Sequence, residues 1–501
     1  MSRNEKLKYN TLTSVLLQIV TLASGFIIPQ LILNNYGSSV NGLVSSIKKF
    51  LSLISFLDLG VGAVVKSALY APLAQKDHNR VSDIYLSSRA FFKRTACIFI
   101  IYIIALSFIY PTLVQNEFDR TYTILLIIAI SISSFSQYFF GITDKLLLTA
   151  DQMGFIQNIV QIITVIVNTI VCSILIKMGN PIYLVQFMTS LIFLIRPILI
   201  RLYVSKKYKI NKKIVLEDNP IPQKWDGMAQ HFSAVILDNT DVVILTVFSS
   251  LSNVSVYSVY HMVLYGIKSI ITSMVDGAQA WFGDVLAKKE TKLVDAFGLF
   301  EWLIHNATVF VFGCTGTLII PFVRVYTKTI TDTNYIQSSF AVLITVAEAI
   351  HCLRLPYNVL ILSAGHFKKT KLAYVIPATL NILLSIALVL RFGLVGVAIG
   401  TVISMTCQTV WMVWYSSKNI VDWPLRLSMK QIMTDCLCVF FGIIFAGFLK
   451  LEEITYFAWF VLAIKKGIIW ALCIFVINSI IYNSNILKVK EYLTKKIKRN
   501  V

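Results

Sequence analysis

Apolar runs of about twenty residues recur from one end of the chain to the other, separated by short polar breaks. That is the length a helix needs to cross a hydrocarbon core of about 30 Å, so the repeat confines the chain to an all-α polytopic membrane fold. Six runs come first: Leu12 to Leu33, Val40 to Leu69, Ala96 to Val114, Tyr122 to Leu148, Phe155 to Ile176 and Tyr183 to Val204. Six more follow: Ala229 to Phe248, Val254 to Leu286, Phe300 to Val325, Phe340 to Leu362, Leu372 to Leu390 and Leu394 to Tyr415. Two further spans, Ile432 to Leu449 and Gly467 to Tyr482, bring the count to about 14. Composition agrees: 56% of residues are hydrophobic and 14% charged, with a mean hydropathy of +0.73. An ordinary soluble domain carries about a quarter charged residues.

The net charge of +20 would suit nucleic acid if it formed one basic face. Instead, Lys and Arg are scattered in the breaks. Short loops rich in Lys and Arg stay on the cytoplasmic side. Lys6, Arg80, Lys206 to Lys213, Lys288, Lys368 and Lys488 to Arg499 all fall in alternate breaks or at the ends, whereas the intervening breaks are nearly bare. Both termini are therefore expected in the cytoplasm, with an even number of spans. The apolar run after the basic N-terminus lacks a small-residue cleavage site and is expected to stay as the first span. The eight cysteines lie in or beside apolar runs, where a thiol acts as a small hydrophobe. Neither a disulfide nor a metal site is expected; Cys436 and Cys438 have no His or Cys neighbours that would complete a zinc site.

The longest break, residues 205–228, is basic, contains Pro220 and Pro222, and reads as a cytoplasmic linker. The expected organisation is an N-lobe over 1–204, the linker, a C-lobe over 229–415, and two C-terminal helices with a basic tail over 416–501. A weak internal echo, IKKFLSLISFLDLG in the second span and IKSIITSMVDG in the eighth, suggests related lobes.

Charges within the apolar runs are the most informative positions. Each costs roughly 2.5 to 3.5 kcal/mol on insertion scales and usually faces protein or water. Lys48 and Lys66 are eighteen residues apart, a whole number of helical turns, which predicts a shared face on the second span. Asp58 lies between them beside Gly60 and Gly62, which mark the expected bend. On the eighth span His261, Lys268, Thr272 and Gln279 follow helical spacing, with Asp276 to one side. The tenth span adds Glu348, His351, Arg354 and Asn358; the seventh adds His231, Asp238 and Asp241; the sixth carries Arg196. Gln157, Gln161, Thr164 and Asn168 form an uncharged stripe suited equally to interhelical hydrogen bonds and to substrate.

Polar faces on so many helices imply a wet cavity. Lys48, Lys66, Arg196, Lys268 and Arg354 are the candidate substrate-binding cations, able to receive a diphosphate that hydrocarbon alone would exclude. Asp58, Asp238, Asp241, Asp276 and Glu348 are either structural partners or the seat of a coupling ion or proton. Snorkelling of Lys48 and Lys66 to the two interfaces is the structural alternative.

The stretch NNYGSSVNGLVSSIKKFLSLISFLDLGVGAVVKSALYAPLAQKD resembles the second-helix region of bacterial polysaccharide flippases of the multidrug, oligosaccharidyl-lipid and polysaccharide exporter superfamily. LDNTDVVILTVFSSLSNVSVYSVYHMV resembles the start of their second lobe. The resemblance implies two six-helix lobes around a V-shaped cavity, two extra C-terminal helices, alternating access and a multi-pass location in the bacterial inner membrane. It also implies cargo: a lipid-linked oligosaccharide on undecaprenyl diphosphate, moved to the outer leaflet for O-antigen or capsule synthesis. Expected partners are membrane lipids, glycosyltransferases and a polysaccharide polymerase, with no cofactor and no nucleic acid. A multidrug exporter of the same superfamily is the alternative, but five intramembrane cations suit anionic cargo better. A membrane glycosyltransferase would need an outer catalytic loop, and no phosphate loop, nucleophile elbow or metal cluster is found. A channel would leave the two-lobe plan unexplained.

Overall fold

The computed structural model describes residues 3–58, 61–211, 228–288, 293–366 and 368–487, and among these the secondary structure is entirely helical. The chain divides into two compact units, Met1–Ser258 with Ile330–Thr333, and Val259–Thr329 with Asn334–Val501. The first holds α1 (Arg3–Ser52), a 3-10 segment (Leu53–Asp58), α2 (Val61–Gln75), α3 (His78–Val114), α4 (Arg120–Ser136), a π turn (Gln137–Gly141) and α5 (Ile142–Ala150). It continues through α6 (Gly154–Lys177), α7 (Ile182–Lys207) and α8 (Met228–Phe248). α9 (Leu251–Ala287) begins in the first unit and enters the second, which then holds α10 (Leu293–Tyr326), α11 (Ser338–Ser363), α12 (Lys371–Ser416), α13 (Leu425–Gly447) and α14 (Tyr456–Ile481). The division places α8 with the first unit, beyond the linker; residues 212–227 of that linker lie outside the described residues.

Twelve helical stretches among the described residues are long and apolar enough to cross a bilayer, and two of them run to 52 and 51 residues. A straight helix of that length would measure about 75 Å at 1.5 Å per residue, far more than a bilayer core. Each is broken by a glycine in a backbone conformation that other residues rarely adopt: Gly37 in α1 (φ 82°) and Gly393 in α12 (φ 54°). Counting both halves adds two spans to the twelve and gives 14. At Gly393 the chain folds back on itself, since Asn381 Nδ2 donates to Thr401 Oγ1 at 3.1 Å and Gly400 abuts Ser385. After Gly37 the helix restarts, and at its start Ser38 N–H donates to Asp332 Oδ2 at 2.7 Å. Asp332 thus serves as a cap supplied from far along the chain.

Polar side chains register the helices of each unit. Asn158 donates to Thr13 at 3.1 Å and Thr169 to Ser24 at 2.7 Å, a constant offset that makes the first half of α1 parallel to α6. In the second unit α10 runs antiparallel to α14, with Trp302 bonded to Asn478 and Thr317 to Lys466. Phe108, Ile170, Phe457 and Ile480 are exposed, as a lipid-facing surface requires.

Two helix expectations need correction. The last span begins at Tyr456, eleven residues before Gly467, and takes in Lys465 and Lys466. The sequence signal failed because Lys466 reads as a break, yet its ammonium donates to the Thr317 carbonyl at 2.9 Å and is satisfied inside the protein. The second span is not one continuous α-helix, because the 3-10 segment Leu53–Asp58 interrupts it before α2 starts at Val61. Lys48 and Lys66 therefore stand on different helices, and 3.6-residue periodicity does not relate their faces.

Candidate functional site

In the first unit the polar stripe of α6 meets Arg196 of α7. Arg196 Nε donates to Thr164 Oγ1 at 2.6 Å, and the guanidinium lies 3.7 Å from the Phe193 ring centre, a stacking geometry that suits Arg. Its Nη2 is buried and makes no hydrogen bond among the described residues. Gln157 and Gln161 join Gln137, Lys145 and Arg196 in lining a narrow cleft. The π turn at Gln137–Gly141 widens the helical bore between α4 and α5, and Gly141 packs against Pro197 there. Lys145 lies within electrostatic reach of both Arg196 and Lys66, so three cations from α2, α5 and α7 gather at one place. Among the described residues none of the three has an acidic partner. Like charges held together repel, and an anion with two negative charges would relieve that repulsion.

Lys145 was not singled out in the sequence, although the rule that picks out Lys66 applies to it, being a charge inside an apolar run. The same holds for Asp144 beside it, which is fully buried, accepts from the Tyr85 hydroxyl at 2.5 Å and lies 3.6 Å from Arg201. Those contacts tie α3, α5 and α7 together. Lys48 does not line the cleft; it is exposed on α1 and lies near the Cys172 thiol.

The acids of α8 have local partners. Asp241 is buried and accepts from the Tyr257 hydroxyl at 3.1 Å. Asp238 is exposed, and its carbonyl receives the Lys49 ammonium at 2.7 Å. His231 Nε2 lies 2.8 Å from the Ser55 carbonyl. The side chains of Asp58 and Asp276, and all of Gly60, lie outside the described residues. Gly62 is described, and a methyl group there would meet Leu146 at 3.6 Å, an ordinary contact.

The second unit brings its predicted residues together differently. Lys268 of α9 lies 3.2 Å from Glu348 of α11, both side chains 11% exposed. The cation is thus neutralised by a neighbour. Arg354 Nη2 contacts His351 Nδ1 at 3.0 Å, which requires the imidazole nitrogen to accept. The Tyr374 hydroxyl donates to Asn358 at 2.7 Å. Charges of both signs meet here, whereas the charged residues lining the first-unit cleft are cations.

Just past the end of α5, Asp151 gathers the Lys6 ammonium at 3.0 Å and the hydroxyl of Tyr208, which follows α7, at 2.5 Å. Burial, with the Asp151 carboxylate adding to it, pushes the Tyr208 phenol well above its usual range, so it stays a donor. This cluster pins the N-terminal helix to α7.

No protein-family model matches the chain, and no curated protein sequence does. Solved structures do. The lipid II flippase MurJ in an inward closed conformation aligns over 95% of this chain and 99% of its own, with a TM-score of 0.66 and 18% identity. An inward-facing multidrug resistance transporter of the MATE family in the MOP superfamily aligns over 79% and 94%, with a TM-score of 0.59 and 11% identity. The Vibrio cholerae MATE transporter VcmN, as its D35N mutant, aligns over 83% and 98%, with a TM-score of 0.58 and 10% identity. This chain has the all-α polytopic fold that a lipid II flippase and the MATE transporters of that superfamily share.

Proposed function

We propose that the protein is a flippase that carries an undecaprenyl-diphosphate-linked oligosaccharide from the inner to the outer leaflet of the bacterial inner membrane, for surface polysaccharide synthesis. The observation that carries this reading is that Lys145 and Arg196 line one cleft with three glutamines, with Lys66 within electrostatic reach of Lys145. Cations without acidic partners suit a diphosphate, through charge-assisted hydrogen bonds that a neutral site cannot supply. Glutamine amides suit sugar hydroxyls, since each offers two donors and an acceptor. The likeness to the lipid II flippase MurJ supports the same direction, because that protein moves a lipid-linked cargo. The MATE structures keep a multidrug exporter in view, but a cationic drug would be repelled by this cleft. Lys48 in the first unit, and Lys268 and Arg354 in the second, are the other proposed substrate-binding cations, with Glu348 paired to Lys268.

The test is flipping of that lipid-linked oligosaccharide in proteoliposomes. Lys145→Gln and Arg196→Gln each remove an interaction with a charged group, worth about 1.5 to 3 kcal/mol. That converts to a loss of about tenfold to a hundredfold in apparent affinity. Lys66→Ala is expected to behave in the same way at normal protein abundance. Wild-type rates in all three variants would remove the diphosphate site.

A further inference from the structure

A cluster of ionisable side chains lies deep in the second unit, unused by the cargo path described above. Glu301 and His305 are one helical turn apart on α10 and share a face. On α13, Asp435 stands opposite His305, with Oδ2 2.7 Å from His305 Nδ1, and Gln431 Nε2 donates to Asp435 Oδ1 at 2.8 Å. Glu301 Oε1 accepts from the Tyr357 hydroxyl of α11 and, at 3.1 Å, from the Ser428 hydroxyl. Trp423 Nε1 in turn donates to Ser428 at 3.0 Å. Glu301, His305, Tyr357, Ser428, Gln431 and Asp435 are all at most 6% exposed.

The charges do not balance. Among the described residues neither carboxylate has a Lys or Arg partner. Lys430, the nearest cation in sequence on α13, turns its ammonium to the Ile481 carbonyl at 3.3 Å and to the Tyr482 ring at 4.6 Å. On the α14 side Trp302 and Asn478 are bonded to each other, and the half-exposed Tyr482 lies near both carboxylates. Cys438 lies near Asp435. With Glu301 and Asp435 ionised and the imidazole neutral, the three groups sum to −2. They reach zero only by holding two protons, and uncompensated charge is expensive in a lipid-embedded core. His305 Nε2 is buried beside the Leu353 carbonyl without meeting hydrogen-bond geometry, so the imidazole has a second nitrogen at which to take a proton.

From this geometry we infer that Glu301, His305 and Asp435 form a proton-binding site that exchanges one proton with water as the transporter cycles. Hydronium gives its proton to the cluster and leaves as water; release returns the proton to water and leaves the cluster one unit more negative. Because the site joins α10, α11 and α13, each protonation change alters the cost of keeping those helices packed. That couples a proton to a helix interface. Only the word transporter rests on the proposed function; proton binding does not.

The full-length protein in lipid nanodiscs is examined by infrared pH-difference spectroscopy between about pH 9 and pH 5, a range that brackets shifted carboxyl and imidazole groups. A carboxylic C=O band is expected to grow as pH falls, and to be lost in Glu301→Gln or Asp435→Asn. No such band in the wild-type protein, or one that survives in both variants, overturns the site; so does a band set by sodium rather than pH. If one variant fails to fold, the other still decides, and absence of the band from the wild-type protein overturns the site without either. In proteoliposomes an imposed pH gradient is expected to change the wild-type flipping rate several-fold and to leave His305→Gln unresponsive at matched insertion. An equal response in both overturns the coupling. Absence of flipping by the wild-type protein would instead count against the proposed function, with the infrared result standing apart.

Discussion

Trp470 is completely buried where α10, α13 and α14 meet, and the two glycines that flank its indole show how closely these helices approach. A methyl group on Gly313 or Gly442 would lie 2.4 Å from Trp470 Cζ3, well inside contact distance. Small residues at such crossings are how membrane helices gain packing contacts, since lipid supplies no hydrophobic drive between them. Gly442→Ala should therefore cost about 1 to 3 kcal/mol by overpacking and lower the thermal unfolding midpoint in detergent. Gly62→Ala should leave that midpoint unchanged, because its neighbour stands at an ordinary distance. Equal midpoints for the two variants would refute the packing argument. At the same scale, Arg196 is oriented by Thr164 and Phe193 and lines a cleft, with no acidic partner among the described residues.

Among the helical elements, the interrupted second span is the one whose geometry invites motion. α1 ends at Ser52, six residues follow as a 3-10 segment, and α2 begins at Val61. The 3-10 hydrogen bonds are poorer than those of an α-helix, and such stretches often mark hinges. Gly60 and Gly62 flank the restart, and alternating access needs an element with two stable shapes. If the segment bends during the cycle, Gly60→Ala with Gly62→Ala should insert normally and slow oligosaccharide export at matched protein levels. Full export by the double variant would mean that the interruption is a fixed structural feature. Gly393 has the opposite character. It closes the α12 hairpin in a conformation available to glycine, and the contact between Ser385 and Gly400 leaves no slack around it.

For the whole molecule, the distribution of Lys and Arg predicts that both termini and the linker are cytoplasmic. With the eight native cysteines replaced, a cysteine at Ser205 should resist a membrane-impermeant maleimide added outside, while one at Glu453 should react. The reverse pattern would invert the topology and the direction of transport. The two compact units divide the candidate residues between them: Lys66, Lys145 and Arg196, with no acidic partner among the described residues, stand in the first, and the Lys268–Glu348 pair and the buried Glu301–His305–Asp435 cluster in the second. The proposed anion site and the proposed proton site thus fall in different units.

The number and approximate placement of the spans were legible in the sequence, because crossing a bilayer imposes a minimum apolar length that composition alone reveals. So were the charges inside the apolar runs, among them Lys48, Lys66, Arg196, Lys268, Arg354 and Glu348. Which charges face one another was not legible, since helix packing joins residues more than a hundred positions apart, as with His305 and Asp435. Periodicity also failed across the second span: a 3-10 turn changes the rotation per residue, so Lys48 and Lys66 lose the common face that their spacing predicts. Tertiary structure alone decided that Lys268 is neutralised and that Lys145 has no acidic partner among the described residues. An ion pair depends on a carboxylate coming within a few ångströms, and only the packing of α9 against α11 brings Glu348 there.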